Sequence, residues 1–236
     1  MSYPVSFEAD YVERRNRLTT FFRLILVIPV AIVLYVFGIV AFFAVVIAWF
    51  AIVITGRYPA GLYDFVAGFT RFLARVTAYG ALLCDPYPPF SGSDEPPYPV
   101  RMHFDGPLEH YSRLKTGFRI ILAIPVAILR YVMGLLLEIG AVAAWVIIII
   151  TGKLPRGLFD LMVLAQSYTA RSDAYLYLLT ETYPPFQDEQ TRAAGTGPPA
   201  PGTAPNAPGP AMAAPDSPDA VPPDAGPPGP GASPPQ

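Results

Sequence analysis

Two long apolar runs dominate the pattern of this chain. No charged residue occurs over the 33 positions between Arg23 and Arg57. The matching run between Arg119 and Lys153 is broken near its middle by Arg130 and Glu138, on either side of Gly134. A bilayer core of about 30 Å needs about 20 helical residues, whereas 33 residues make a helix of about 50 Å. One upright crossing is too short for such a run, and two crossings are tight. The charges favour two: a continuous crossing helix would hold Arg130 and Glu138 near mid-bilayer at about 2.5–3.5 kcal/mol each. A hairpin turning at Gly134, and at Gly38 in the first run, carries them to the far interface. The pattern therefore predicts crossing helices over about 18–37, 39–55, 114–133 and 135–151. A re-entrant hairpin that never reaches the far side is the alternative.

Both runs end on the same phrase, ITGRYPAGLYDF at Ile54–Phe65 and ITGKLPRGLFDL at Ile150–Leu161. Gly56 and Gly152 stand where a helix C-cap takes a left-handed residue, and Pro59 and Pro155 suit the start of a new helix. The next helix, about 59–84 and 155–180, carries apolar residues at three- and four-residue spacing: Leu62, Phe65, Val66, Phe69, Phe72, Leu73, Val76, Tyr79 and Leu83. Arg71 and Arg75 lie off that stripe, so the helix is expected to rest in the headgroup plane, aromatics down. Ser167, Ser172 and Asp173 weaken this face in the second copy, where more of the packing should be on protein. Ahead of each apolar run, VSFEA and VRMHF alternate as short strands do.

Aligning Arg17–Phe90 with Arg113–Phe186 at a constant offset of 96 gives 36 identities in 74 positions, which means duplication of one unit. The units are 1–92 and 96–188, followed by a tail, 191–236, with 15 prolines in 46 residues and no aromatic. That composition is expected to be disordered or locally polyproline II. The fold class expected is an all-α integral membrane protein: two tandem repeats, each a transmembrane hairpin plus an interfacial helix, and a disordered tail.

Composition narrows the chemistry. Hydrophobic residues are 53% and charged ones 14% of the chain, with net charge −2, so there is no basic field for nucleic acid. One cysteine, Cys84, excludes an intramolecular disulfide. His103 and His110 read as surface residues. The sequence holds no phosphate-binding loop, zinc motif or nucleophile elbow, so no catalytic residue, cofactor or metal is expected. Thirteen of the 16 basic residues flank the apolar runs. Hairpins would put all of these on one, cytoplasmic, face.

Two groups of residues stand out as candidates. Asp64, Arg75 and Tyr79, repeated as Asp160, Arg171 and Tyr175, share one helix face and suit a lipid headgroup or a structural polar stripe. Glu138, with Arg130, is the one ionisable pair inside an apolar run, where an acid suggests an ion or proton site; an Arg130-paired carboxylate at the turn is the plainer expectation.

The segments Ala48–Phe65 with Tyr87–Phe90, and Ala144–Leu161 with Tyr183–Phe186, resemble the bacterial membrane family called domain of unknown function 4389. The resemblance implies a bacterial cell-membrane location and carries no activity. The function expected is a non-enzymatic accessory or scaffold module, multi-pass, with N-terminus and tail cytoplasmic. Its partners would be the lipid bilayer and other membrane proteins or a second copy. The alternative is a small parallel-repeat transporter or channel subunit using Glu138.

Overall fold

The computed structural model describes residues 3–93 and 98–185; the tail expected to be disordered, 191–236, lies outside the described residues. Eight elements follow in order: β1 (Val5–Ala9), α1 (Arg17–Phe21), α2 (Arg23–Thr55), α3 (Ala60–Gly80), β2 (Val100–Phe104), α4 (Arg113–Gly117), α5 (Arg119–Thr151) and α6 (Arg156–Leu176). The described residues are mostly helical and form two tandem copies, each with one long apolar helix. The fold is not all-α, because the two expected strands form and pair.

The expected turns at Gly38 and Gly134 are absent: α2 and α5 are each one continuous helix of 33 residues. A lone glycine in a helix costs about 1 kcal/mol, too little to end an apolar run that has no proline, asparagine or aspartate beside it. A Cβ added at Gly38 would lie 3.6 Å from the Phe69 ring, an ordinary van der Waals contact. The crossing helices over 18–37 and 39–55, and over 114–133 and 135–151, are therefore replaced by one short helix and one long helix in each copy. Asn16 caps α1 by accepting from the Leu18 and Thr19 amides, and Ser112 caps α4 by accepting from Lys115.

The apolar stripe of α3, expected to face lipid in the headgroup plane, is covered by protein instead. Gly56 and Gly152, both at φ 75°, end α2 and α5 in the left-handed conformation, and α3 and α6 then fold back along them. Phe37 meets Phe65 and Phe69, Val30 meets Phe72 and Val76, and Arg23 reaches Tyr79 near the other end. The apolar stripe read from the sequence is real, but protein covers it. Replacing either glycine by Ala puts a side chain in a region that costs about 1–2 kcal/mol. At Gly152 the new Cβ also lies 3.0 Å from Arg17 Nε. Gly56→Ala and Gly152→Ala should each lower stability by about that amount in thermal unfolding. Being at opposite ends, their effects should add.

The copies exchange their leading segments. β1 pairs antiparallel with β2, Phe7 opposite Met102 and Glu8 opposite Arg101, yet β1 packs on α6 and β2 on α3. The Leu154 amide donates to the Glu13 carbonyl and the Arg15 amide to Gly152, while Tyr111 donates to Gly56. Each leading segment thus closes the turn of the other copy. α3 and α6 touch each other and lie between the sheet and the pair α2 and α5, giving three layers.

One end of the molecule holds the Gly56 turn, Tyr111, and the Tyr58 hydroxyl donating to the Tyr177 carbonyl. The other holds the Gly152 turn, Glu13, and Arg15 donating to the Leu83 carbonyl.

Candidate membrane face and the buried polar residues

The outward side of α2 is apolar from end to end, and that of α5 is apolar but for Glu138. Leu24, Ile28, Ile32, Ile39, Phe43 and Phe50 are exposed along α2, and Ile120, Ile124, Ile128, Leu135, Val142 and Val146 along α5. A soluble protein rarely exposes an apolar patch above a few hundred Å². The inward sides use small residues where helices approach: Ala41, Ala44 and Ala48 on α2, and Gly140 and Ala144 on α5, are buried. Phe21, Phe22 and Phe118 stand exposed at the helix starts, beside Arg14, Arg17, Arg113 and Lys115, which are exposed too.

The expected polar stripe is divided among three surroundings. Asp64 is exposed at the rim, and Asp160 pairs with Arg156 at 3.2 Å one turn away. Arg75 and Arg171 are 1% and 0% exposed, deep in the core. Arg75 donates to the Ser91 carbonyl and faces the Tyr98 ring at 5.7 Å; Arg171 donates to the Ser167 carbonyl and hydroxyl. Tyr79 and Tyr175 lie beneath other arginines, with Arg23 4.1 Å from the Tyr79 ring and Arg119 3.5 Å from the Tyr175 ring. The two arginines of the stripe lie out of reach of a headgroup at the surface.

Sequence reasoning missed the arginines that finish α3 and α6. Both helices close on a left-handed leucine, Leu82 at φ 64° and Leu178 at φ 66°, where the Leu83 and Leu179 amides reach back to Ala78 and Ala174, and arginines bind the carbonyls around these turns. Arg23 donates to the Cys84 carbonyl and pairs with Asp85 at 3.0 Å, and Arg15 donates to Leu83. In the second copy Arg119 donates to the Thr180 carbonyl and joins the Leu178 amide at the Tyr175 carbonyl. Cationic donors at a helix C-terminus also suit its dipole. Burial pushes the neighbouring Cys84 thiol up, so it stays protonated and accordingly inert.

Arg130 and Glu138 are not partners. Arg130 pairs with Asp173 of α6 at 2.5 Å. Asp173 is buried, and that burial pushes its carboxyl up against the pull of Arg130. Both residues are departures of the second copy, where the first has Leu34 and Thr77. Glu138 is exposed on the outward apolar side among Leu135, Ile139 and Val142, where the first copy has Phe42. No hydrogen bond or ion pair joins it to the described residues.

Two related grooves run between the strands and the helices beneath them. The one between β1 and α6, about 870 Å³, is lined by Phe7, Asp10, Arg101, Arg156, Asp160 and Ser167. Its counterpart on α3, about 500 Å³, contains Arg71 in the place of Ser167. Arg71 fills that space by donating to the Met102 carbonyl and lying 5.0 Å from the Phe104 ring. His103 and His110 are exposed, and among the described residues no three His, Cys, Asp or Glu side chains gather as a metal site would need.

By length and composition, α2 and α5 are the two helices that could cross a membrane. No curated protein and no solved structure matches the chain. The domain of unknown function DUF4389 matches it twice, over residues 17–92 and 113–187, which covers the helices of both copies. The chain therefore belongs to the DUF4389 family and carries that domain in tandem.

Proposed function

We propose that this protein is a non-enzymatic module of the bacterial cell membrane, an accessory or scaffold held in the lipid by α2 and α5. The observation that carries this is the apolar side of both helices, exposed along their length and broken by the one carboxylate of Glu138. At about 25 cal/mol per Å², lipid contact along two such faces far outweighs the cost of one carboxylate, Glu138. The non-enzymatic part is supported by how the ionisable groups are used. Arg15, Arg23 and Arg119 cap helix ends, and Arg130 neutralises Asp173. The basic residues at the helix ends support a location on the cytoplasmic side of that membrane. Glu138 gives no support to a transport path, because it stands on the outer side of α5 with apolar neighbours. The test is fractionation of cells expressing the full chain. It should stay in the membrane pellet after alkaline carbonate washing and leave only with detergent. Recovery in the soluble fraction would overturn the proposal.

A further inference from the structure

The same apolar side says how the protein meets the bilayer, and this inference rests on the membrane reading above. We infer that the molecule sits in one leaflet, with α2 and α5 lying along the plane of the membrane and the sheet turned to water. Neither helix crosses.

The layer order carries the argument. The strands run alongside α3 and α6 between the two ends of the molecule: the Tyr3 hydroxyl donates to Thr182 near one end, and the Tyr11 hydroxyl to Leu154 at the other. Standing α2 and α5 upright would take the strands down with them. The five-residue strands span about 16 Å, and with Tyr3 and Tyr11 the segment reaches along α6, whose 21 residues span about 31 Å, the thickness of the hydrocarbon core. Glu8, Asp10, Arg101 and His103 would then face acyl chains. A two-stranded sheet also has two open edges, whose unpaired amides and carbonyls find no partner in lipid. Laid flat, the molecule presents α2 and α5 to lipid and keeps the sheet in water. Glu138 is then the one acid on the lipid-facing sides of these helices.

The basic residues agree. One end exposes Arg57, Arg113 and Lys115, and the other Arg14, Arg17 and Lys153. An upright molecule would put these sets on opposite faces of the membrane, against the usual bias. A flat one brings both sets to the phosphates of the same leaflet, at the two ends of helices about 50 Å long. Exposed Leu18, Phe21, Leu114 and Phe118 lie at the same level beside them, as residues of an interfacial segment do.

Depth measurement tests this directly. Ile28, Ile39 and Phe50 are exposed and eleven residues apart, three helical turns, so they share one line along α2. In a Cys84→Ser chain, a single Cys at each of these positions would be labelled with bimane. The full protein would then be reconstituted in vesicles of phosphatidylethanolamine and phosphatidylglycerol. Lipids brominated at different acyl positions should quench all three labels with the same depth profile. A deep label at Ile39 with shallow ones at Ile28 and Phe50, which lie about 33 Å apart along the helix, would show a crossing helix and overturn the inference. The same series at Ile124, Leu135 and Val146 on α5 repeats the test where a variant of α2 fails to fold. Loss of quenching at every position, with protein that does not float with the vesicles, would sink the membrane reading itself rather than the orientation.

Discussion

Replacing Arg130 by Leu should destabilise the protein by about 3–5 kcal/mol, while Arg130→Leu with Asp173→Thr should come back close to the starting stability. The asymmetry follows from burial. Removing one partner of a buried pair leaves an uncompensated charge, whereas replacing both by neutral residues that fit is often neutral or stabilising. The side chain of Asp173 is 5% exposed and that of Arg130 36%. Losing Arg130 therefore strands a buried carboxylate, and losing Asp173 strands a guanidinium that can turn outward along the helix. Asp173→Thr alone should cost less than Arg130→Leu alone. The double variant restores the combination the first copy carries, Leu34 over Thr77. Chemical unfolding of the four proteins in detergent, read as a double-mutant cycle, gives the coupling; additive losses would mean the pair is not coupled.

The same pair gives a pH signature. Burial already raises the Asp173 carboxyl above its ordinary value, and Arg130 opposes that rise. In Arg130→Leu the opposition is gone, so the folded-state value climbs further while the unfolded chain titrates normally. Between the two values the folded state holds the extra proton, so stability falls as pH rises through that window. The deficit of Arg130→Leu should be smallest in acid, where Asp173 is neutral, and largest near neutrality.

This pair also shows where the sequence was legible and where it stopped. Arg130 and Asp173 each stand out as departures from the first copy, and two coordinated departures are a signal of contact. In one dimension, Glu138 lay closer to Arg130 and appeared the natural partner. The choice depended on the direction of α6, which periodicity does not give. The stripe from Leu62 to Leu83 correctly marked a face to be buried, but a stripe reads the same against lipid as against a helix. The strands were visible as VSFEA and VRMHF; that they would pair with each other and pack on the opposite copies was not, because strand pairing is non-local. Gly38 and Gly134 misled because a turn was needed to bring the basic residues to one face. The flat orientation brings them there with α2 and α5 unbroken, so the charge argument survives the loss of the turn.

The second large effect is expected at Arg119. Arg119→Met should cost about 3 kcal/mol and Arg23→Met clearly less, although the two occupy equivalent positions. Arg119 is buried, lies over the Tyr175 ring, and supplies donors to the carbonyls of Tyr175 and Thr180, both buried. The Tyr175 carbonyl keeps the Leu178 amide, but the buried Thr180 carbonyl is left without a donor, at about 1–3 kcal/mol, and the lost ring contact adds to that. In the first copy Arg15 donates to Leu83 and lies 3.5 Å from Asp85, so it remains as a second cation when Arg23 is removed. The second copy has Tyr111 in the place of Arg15, and no such reserve. Arg119→Lys should recover less than half of the loss, since an ammonium cannot present the planar fork that meets two carbonyls at once. Equal losses for Arg23→Met and Arg119→Met would mean that Arg15 takes no share of the load. Because Leu178 holds its left-handed conformation at this same helix end, the Arg119 variant should unfold first around residues 175–182. Amide exchange should report that opening there while the first copy's equivalent end stays protected.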